Sequence, residues 1–158
     1  MRCFESEKIT HVNSKISPSS DLETIKTEIV LSDLDIVQKK LEKGKKKLLE
    51  DKEIKILEEK LNQLDKNQEV KINNEEENKS LSSIGLLSIK PKIIVCNVDE
   101  ENLSKGNQYT EEIQNKYPNE KIIKICADIE DQLSGLDKNE KEAFMQDIGL
   151  NKTGLNQL

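Results

Sequence analysis

Aromatic side chains are almost missing from this sequence: two Tyr, two Phe and no Trp, 3% of 158 residues. With only 34% hydrophobic residues, well under the roughly 45–50% of ordinary globular chains, one dense core is not expected. Histidine occurs once and cysteine three times, at Cys3, Cys96 and Cys126, with no CxxC pair. That scarcity argues against a disulfide framework and a zinc site, so no metal ligands are assigned. Each cysteine lies in or beside an apolar run and reads as a small buried hydrophobe. No apolar run reaches the roughly 18 residues of a membrane span, and MRCFESEK has no signal-peptide pattern, so a cytoplasmic protein with no membrane contact is expected. Glycine is sparse too. None of the six glycines opens a G-x-x-x-x-G-K-[ST] loop: Gly106 is followed by NQYT, Gly135 by LDKN, and Gly44 by lysines with no hydroxyl after them. A DxxG motif is also missing. Phosphoryl transfer is mostly positioning and charge stabilisation by such parts, so this chain alone is not expected to hydrolyse a nucleotide.

Charge is abundant but of mixed sign. Acids number 31 against 25 bases, for a net charge of -6 and a pI near 5.1. This is no basic footprint, and any contact with nucleic acid has to come from a local patch.

Along the chain, Met1, Cys3 and Phe4 read as the tail of a strand, followed by a polar loop. Ser20 or Asp21 reads as the N-cap of a helix carrying Leu22, Ile25, Ile29, Val30, Leu34, Val37 and Leu41 at steps that settle into fours and threes. After Asp51, a second N-cap, Ile54, Leu57, Leu61 and Leu64 repeat that spacing. Two such helices bury their stripes against each other as an antiparallel coiled-coil hairpin; a single long helix broken at Gly44 is the alternative. The acidic, Asn-rich stretch QEVKINNEEENKS reads as a linker with a short helix. The period then changes. Lys92–Cys96 and Lys121–Cys126 are β-branched runs flanking NQYTEEIQNKY, which puts Tyr109, Ile113 and Tyr117 four apart: a strand, helix, strand unit with parallel strands. Asp137–Ile148 reads as a further helix stopped by Gly149. NKTGLNQL looks like the start of another helix, so both chain ends look cut.

Ligands of open α/β sheets sit beyond the carboxyl ends of the strands, and "NVDE", Asn97 to Glu100, follows one directly. An asparagine amide has a donor and an acceptor, the pair that reads adenine in DNA. Asp99 has a plainer reading, as the cap of the next helix. Cys126, Ala127 and Asp128 end the second strand at the same level, where backbone N–H groups can reach a base from its other side.

Five stretches, MRCFESEKITHV, IKTEIVLSDLDIVQKKLEK, KPKIIVCNVDEENL, ICADIEDQL and EAFMQDIGLNKTGLNQL, resemble in order and spacing the middle of the YchF family, the Obg-like ATPases also called EngD. In that family a P-loop NTPase domain carries a helical coiled-coil insertion and precedes a TGS domain, and NxxE, associated with ATP preference, replaces the NKxD motif of GTPases. The resemblance implies that Asn97 reads the adenine edge, that Val98 gives a backbone or apolar contact, and that Glu100 holds the base-selecting acidic position. It matches Ala127 to the loop closing over the base, where Asp128 departs from the usual lysine. His11, in KITHV, matches a loop histidine considered as a substitute for the missing water-positioning glutamine; a solvated side chain is the plainer reading. Magnesium belongs to the family, with no ligand for it in this chain.

The resulting expectation is a partial P-loop NTPase (G-domain) half-sheet of the α/β class with an inserted hairpin. Its parts are a strand end and loop (1–18), the coiled-coil hairpin (19–69), a linker and short helix (70–90), and the second half of the G domain (91–158). ATP is the implied nucleotide, bound weakly if at all by this chain alone, and the ribosome or RNA the implied partner. Lys43, Lys45, Lys46 and Lys47 are candidate phosphate contacts or simply a solvated helix end. A separate piece bearing the phosphate loop is a further implied partner, and the chain is otherwise expected to be monomeric. A non-enzymatic coiled-coil interaction protein and a decayed gene remnant are the alternatives.

Overall fold

The structure is a computed structural model that describes residues 1–6, 15–46, 49–150 and 152–157. Its elements run α1 (Pro18–Lys46), α2 (Asp51–Asp65), α3 (Glu75–Ser82), β1 (Ile93–Asn97), α4 (Gln108–Lys116), β2 (Lys121–Ile125), α5 (Ala127–Ser134) and α6 (Lys138–Asp147), with short 3-10 turns at Glu100–Asn102 and Leu155–Gln157. Two compact units emerge, one of Met1–Leu22 with Lys92–Leu158, the other of Glu23–Pro91.

In the first unit β1 and β2 pair in parallel, from Ile93 opposite Lys121 to Asn97 opposite Ile125. The amino-terminal residues line the other side of β1. Arg2 bridges Asn97 in parallel, Asn97 N–H donates to the Met1 carbonyl at 2.8 Å, and Cys3 N–H donates to the Asn97 carbonyl at 2.8 Å. Three parallel segments are therefore present where the β-branched runs and the Met1–Phe4 tail predict them. Period-2 alternation sends Ile94, Cys96 and Val98 to one face, where they join Cys3, Leu22 and Ile113 in a buried cluster edged by Tyr109 and Tyr117. Asn107 starts α4 through a reciprocal capping box with Thr110. Its amide also donates to the Cys3 carbonyl at 2.6 Å, tying the crossover to the amino-terminal segment. A second cluster gathers Cys126, Ile129 and Leu133 of α5 against Phe144, Met145 and Ile148. All three cysteines are buried and free, as the sequence suggests.

In the second unit Val30, Val37 and Leu41 of α1 share one cluster with Leu57 and Leu64 of α2 and with Val70, Leu81 and Leu86; Leu34, Ile54 and Leu61 pack at its margin. Two helix starts differ from the sequence reading. α1 begins at Pro18 rather than after Ser20 or Asp21, because proline at a first helical position gives up an N–H that has no partner there anyway. Glu50, not Asp51, caps α2, forming a capping box with Glu53. α1 continues through Gly44, so the break between helices does not fall at that glycine.

The segment after α2 is fastened by buried charge. Asp33, fully buried, accepts the N–H groups of Leu87 at 2.7 Å and Ser88 at 2.8 Å. Lys60, also fully buried, meets the Glu77 carboxylate at 2.8 Å. Asn73 completes that group, giving its backbone N–H to Glu77 at 2.9 Å. No helix among the described residues is long and apolar enough to cross a membrane.

Candidate nucleotide-base site

Where β1 ends, three backbone bonds fix Asn97 and its neighbour: the two to Met1 and Cys3, and one from Val98 N–H to the Ile125 carbonyl at 2.8 Å. With the main chain held on both sides, the half-buried Asn97 side chain projects from the end of the sheet. Its Oδ1 accepts the Ala127 N–H at 3.0 Å. Ala127 is the first residue of α5, and Cys126, the residue at the cap position, offers no side-chain hydrogen bond. The first N–H groups of a helix lack internal acceptors, so Asn97 acts as a cap from the neighbouring strand, a contact worth about 1 kcal/mol in ordinary caps.

That bond sorts the carboxamide's two groups. Oδ1 is engaged within the protein, while the NH2 group has no hydrogen-bond partner among the described residues. The Ala127 N–H, which the sequence suggests for a ligand, is turned to Asn97 instead. Ala127 and Asp128 themselves are exposed. Val98 is 2% exposed and sits in the core cluster, so both its side chain and its N–H are occupied internally.

Asp99 does what its plainer reading says. Its Oδ1 accepts the Asn102 N–H at 3.1 Å and caps the 3-10 turn. Glu100 opens that turn, exposed, and lines a cleft of about 840 Å³ together with Asp99, Glu101 and Asp147, above Leu103, Ile129, Ile148 and Leu150. The structure thus joins Asn97 to Ala127 directly, whereas Glu100 faces the adjoining cleft. Beside Asn97, the Cys3 thiol is pushed well above its ordinary pKa by its hydrogen bond with Cys96 and by burial.

Lys43 is exposed near the end of α1. His11, Lys47 and the side chains of Lys45 and Lys46 lie outside the described residues. Among the described residues no three His, Cys, Asp or Glu side chains are grouped to hold a metal ion. Two residues absent from the sequence reading matter near the site: Glu130, one turn into α5, whose carboxylate accepts the Gly154 N–H at 2.5 Å, and Gly154 itself. The visible signal was the isolated glycine in NKTGLNQL.

No family profile matches the chain. Individual proteins do. It is 32% identical over 167 residues to the ribosome-binding ATPase YchF of Escherichia coli O157:H7, covering 100% of this chain and 46% of that protein. To the ribosome-binding ATPase YchF of Mycoplasma pneumoniae it is 35% identical over 176 residues, covering 100% of this chain and 47% of the relative. The chain belongs to the YchF family. It spans about half the length of the YchF relatives it matches. In fold it is similar to the Schizosaccharomyces pombe YchF GTPase, with a TM-score of 0.81 at 24% identity over 99% of this chain and 46% of that one. The α/β fold of the matching part of that protein is therefore present, with six α-helices and a two-stranded parallel sheet among the described residues.

Proposed function

We propose that this chain supplies the adenine-recognition loop and a coiled-coil arm of a YchF-type ATPase that works on the ribosome. The observation that carries this reading is the Asn97 side chain, anchored through Oδ1 to Ala127 with its NH2 group left for a ligand. A donor in that place suits a purine ring nitrogen, N7, which is an acceptor on adenine and guanine alike. Asn97 then selects purine, and the choice of adenine falls to Glu100, whose carboxylate stands where a GTPase keeps its guanine-selecting aspartate. Ala127 offers its exposed surface to the base, and Val98 supports the loop from below. His11 is the candidate for ordering the attacking water in the assembled protein.

Hydrolysis needs a phosphate-binding segment from outside these 158 residues. The outer side of Met1–Cys3, away from β1, is the edge we assign to it. α1 and α2 form the antiparallel arm, and the lysines Lys43, Lys45, Lys46 and Lys47, which precede α2 in the sequence, are the candidate contacts to ribosomal RNA phosphates. The protein works in the cytoplasm as a monomer.

Adenosine and 7-deazaadenosine, which lacks the N7 acceptor, test the site directly by equilibrium binding. Loss of N7 is expected to weaken binding about fivefold or more, the worth of one hydrogen bond near 1 kcal/mol. Equal binding of the two would remove Asn97 from the base. A second reading, a non-enzymatic interaction arm, draws on the second unit having its own hydrophobic core. It predicts partner binding that survives Asn97→Ala and is lost when Leu34 and Leu61 become polar.

A further inference from the structure

We infer that the segment Lys152–Gln157 is a structural part of the base site, held there by Glu130 as a positioning residue; the inference rests on the base-site reading above. Three hydrogen bonds form a continuous path. Asn97 Oδ1 holds the Ala127 N–H. One helical turn later, Glu130 N–H closes on the Cys126 carbonyl at 3.0 Å, which fixes the first turn of α5. The Glu130 carboxylate then receives the Gly154 N–H.

Gly154 is buried, and a methyl group there would overlap both the Ile125 side chain and the Glu130 carboxylate. Ile125 is the register partner of Asn97. The close approach thus brings the segment against the end of β2 and the first turn of α5 together, the two supports of the Ala127 N–H. The segment is itself folded into a turn, with Gln157 N–H on the Gly154 carbonyl at 3.0 Å and Asn156 N–H on that of Thr153 at 3.2 Å. Glu130 lies in the first turn of α5, where an acidic side chain is favoured by the helix dipole.

The consequence is regulation of the base site by whatever pulls on this segment. Drawing Gly154 away frees Glu130 and loosens the turn that presents Ala127 to Asn97; by reciprocity, a base that steadies Asn97 and Ala127 tightens the hold on Gly154. No contact between the segment and the ligand is required.

Amide hydrogen exchange on the intact chain, with and without adenosine, reads this coupling residue by residue. Glu130→Ala and Gly154→Ala are expected to accelerate exchange at Ala127 about fivefold or more, with little change in the α4 amides. Glu130→Gln, which keeps an acceptor oxygen, is expected to restore slow exchange. Adenosine is expected to slow exchange at Gly154 in the wild-type chain but not in Glu130→Ala. Unchanged Ala127 exchange in Glu130→Ala, or failure of Glu130→Gln to rescue it, would overturn the inference. If adenosine fails to bind the wild-type chain while the variants still alter Ala127 exchange, the base-site reading falls and the mechanical link stands.

Discussion

Asn97 carries a donor and an acceptor on one carboxamide, and the fold separates them: the oxygen caps α5, while the NH2 group, which the proposed function gives to a base, has no hydrogen-bond partner among the described residues. Two substitutions separate these tasks. Asn97→Asp keeps an acceptor for the Ala127 N–H but loses the donor, so it is expected to melt near the wild-type temperature while binding adenosine about fivefold or more weakly. Asn97→Ala removes both and is expected to lose about 1 kcal/mol of stability as well. Thermal denaturation beside a binding titration checks the pair; equal melting losses in both variants would mean that the oxygen does not cap the helix. The neighbouring thiols supply another residue-scale expectation. Cys3 and Cys96 are fully buried in one cluster, so a thiol reagent at neutral pH should modify them only as fast as the chain opens. Here the sequence was informative about identity and less so about geometry. The asparagine at the end of a β-branched run was legible, but the Oδ1 bond joins residues 30 apart in sequence and leaves no local pattern. Val98 reads as a ligand contact in sequence; the alternation through Ile94, Cys96 and Val98 places it inside.

At the scale of elements, the apolar stripes of α1 and α2 were readable, yet each has a buried charge at its centre. In the second unit's core the buried stripe runs Val30, Asp33, Val37 and Leu41 on α1, and Leu57, Lys60 and Leu64 on α2, again at steps of three and four. A reading that scores only apolar residues skips Asp33 and Lys60 and takes Leu34 and Leu61 instead, which the structure puts at the margin. What makes Asp33 and Lys60 tolerable is distant: the backbone of Leu87 and Ser88 for one, Glu77 for the other. That is why the stretch around α3 reads as a linker although Val70, Leu81 and Leu86 are buried. α5 escaped notice because its first N–H is capped from another strand.

Breaking these fastenings has calculable consequences. Asp33→Ala strands two backbone N–H groups and is expected to cost about 2 kcal/mol or more, while Lys60→Met, which leaves the Glu77 carboxylate without its cation, is expected to cost about 3 kcal/mol. Urea denaturation measures both. For Glu77, burial pushes the pKa up, but the bonds from Lys60 and Asn73 and the Lys60 charge outweigh it and hold the carboxyl below its ordinary value of 4.5. A carboxyl lowered in the folded state contributes its stability above the unfolded pKa and loses it as the pH falls through the folded value. The contribution of Glu77 is therefore complete above about pH 5 and fades below about pH 4.3. Glu77→Gln should melt lower than wild type at pH 7, with the gap narrowing as the pH drops toward 3; a gap that stays constant would show that the ion pair does not contribute through charge.

For the molecule as a whole, the parallel strands, the α4 crossover and α6 were legible because each rests on local signals: β-branched runs, a 3.6-residue period, and Gly149 as a stop. The division into two units follows from the low apolar content, which is spread over separate clusters and not gathered into one. Family membership came from five short stretches in order, and the relatives agree over the full length of this chain. The most direct test of the account is an amide and side-chain NMR titration of the isotope-labelled chain with adenosine. The account predicts shifts at the Asn97 side-chain NH2, the Ala127 amide and residues 98–101, with smaller ones reaching Gly154 and none in α1–α3. Saturating adenosine that leaves the Asn97 and Ala127 signals unmoved, or moves α1–α3 instead, would contradict it.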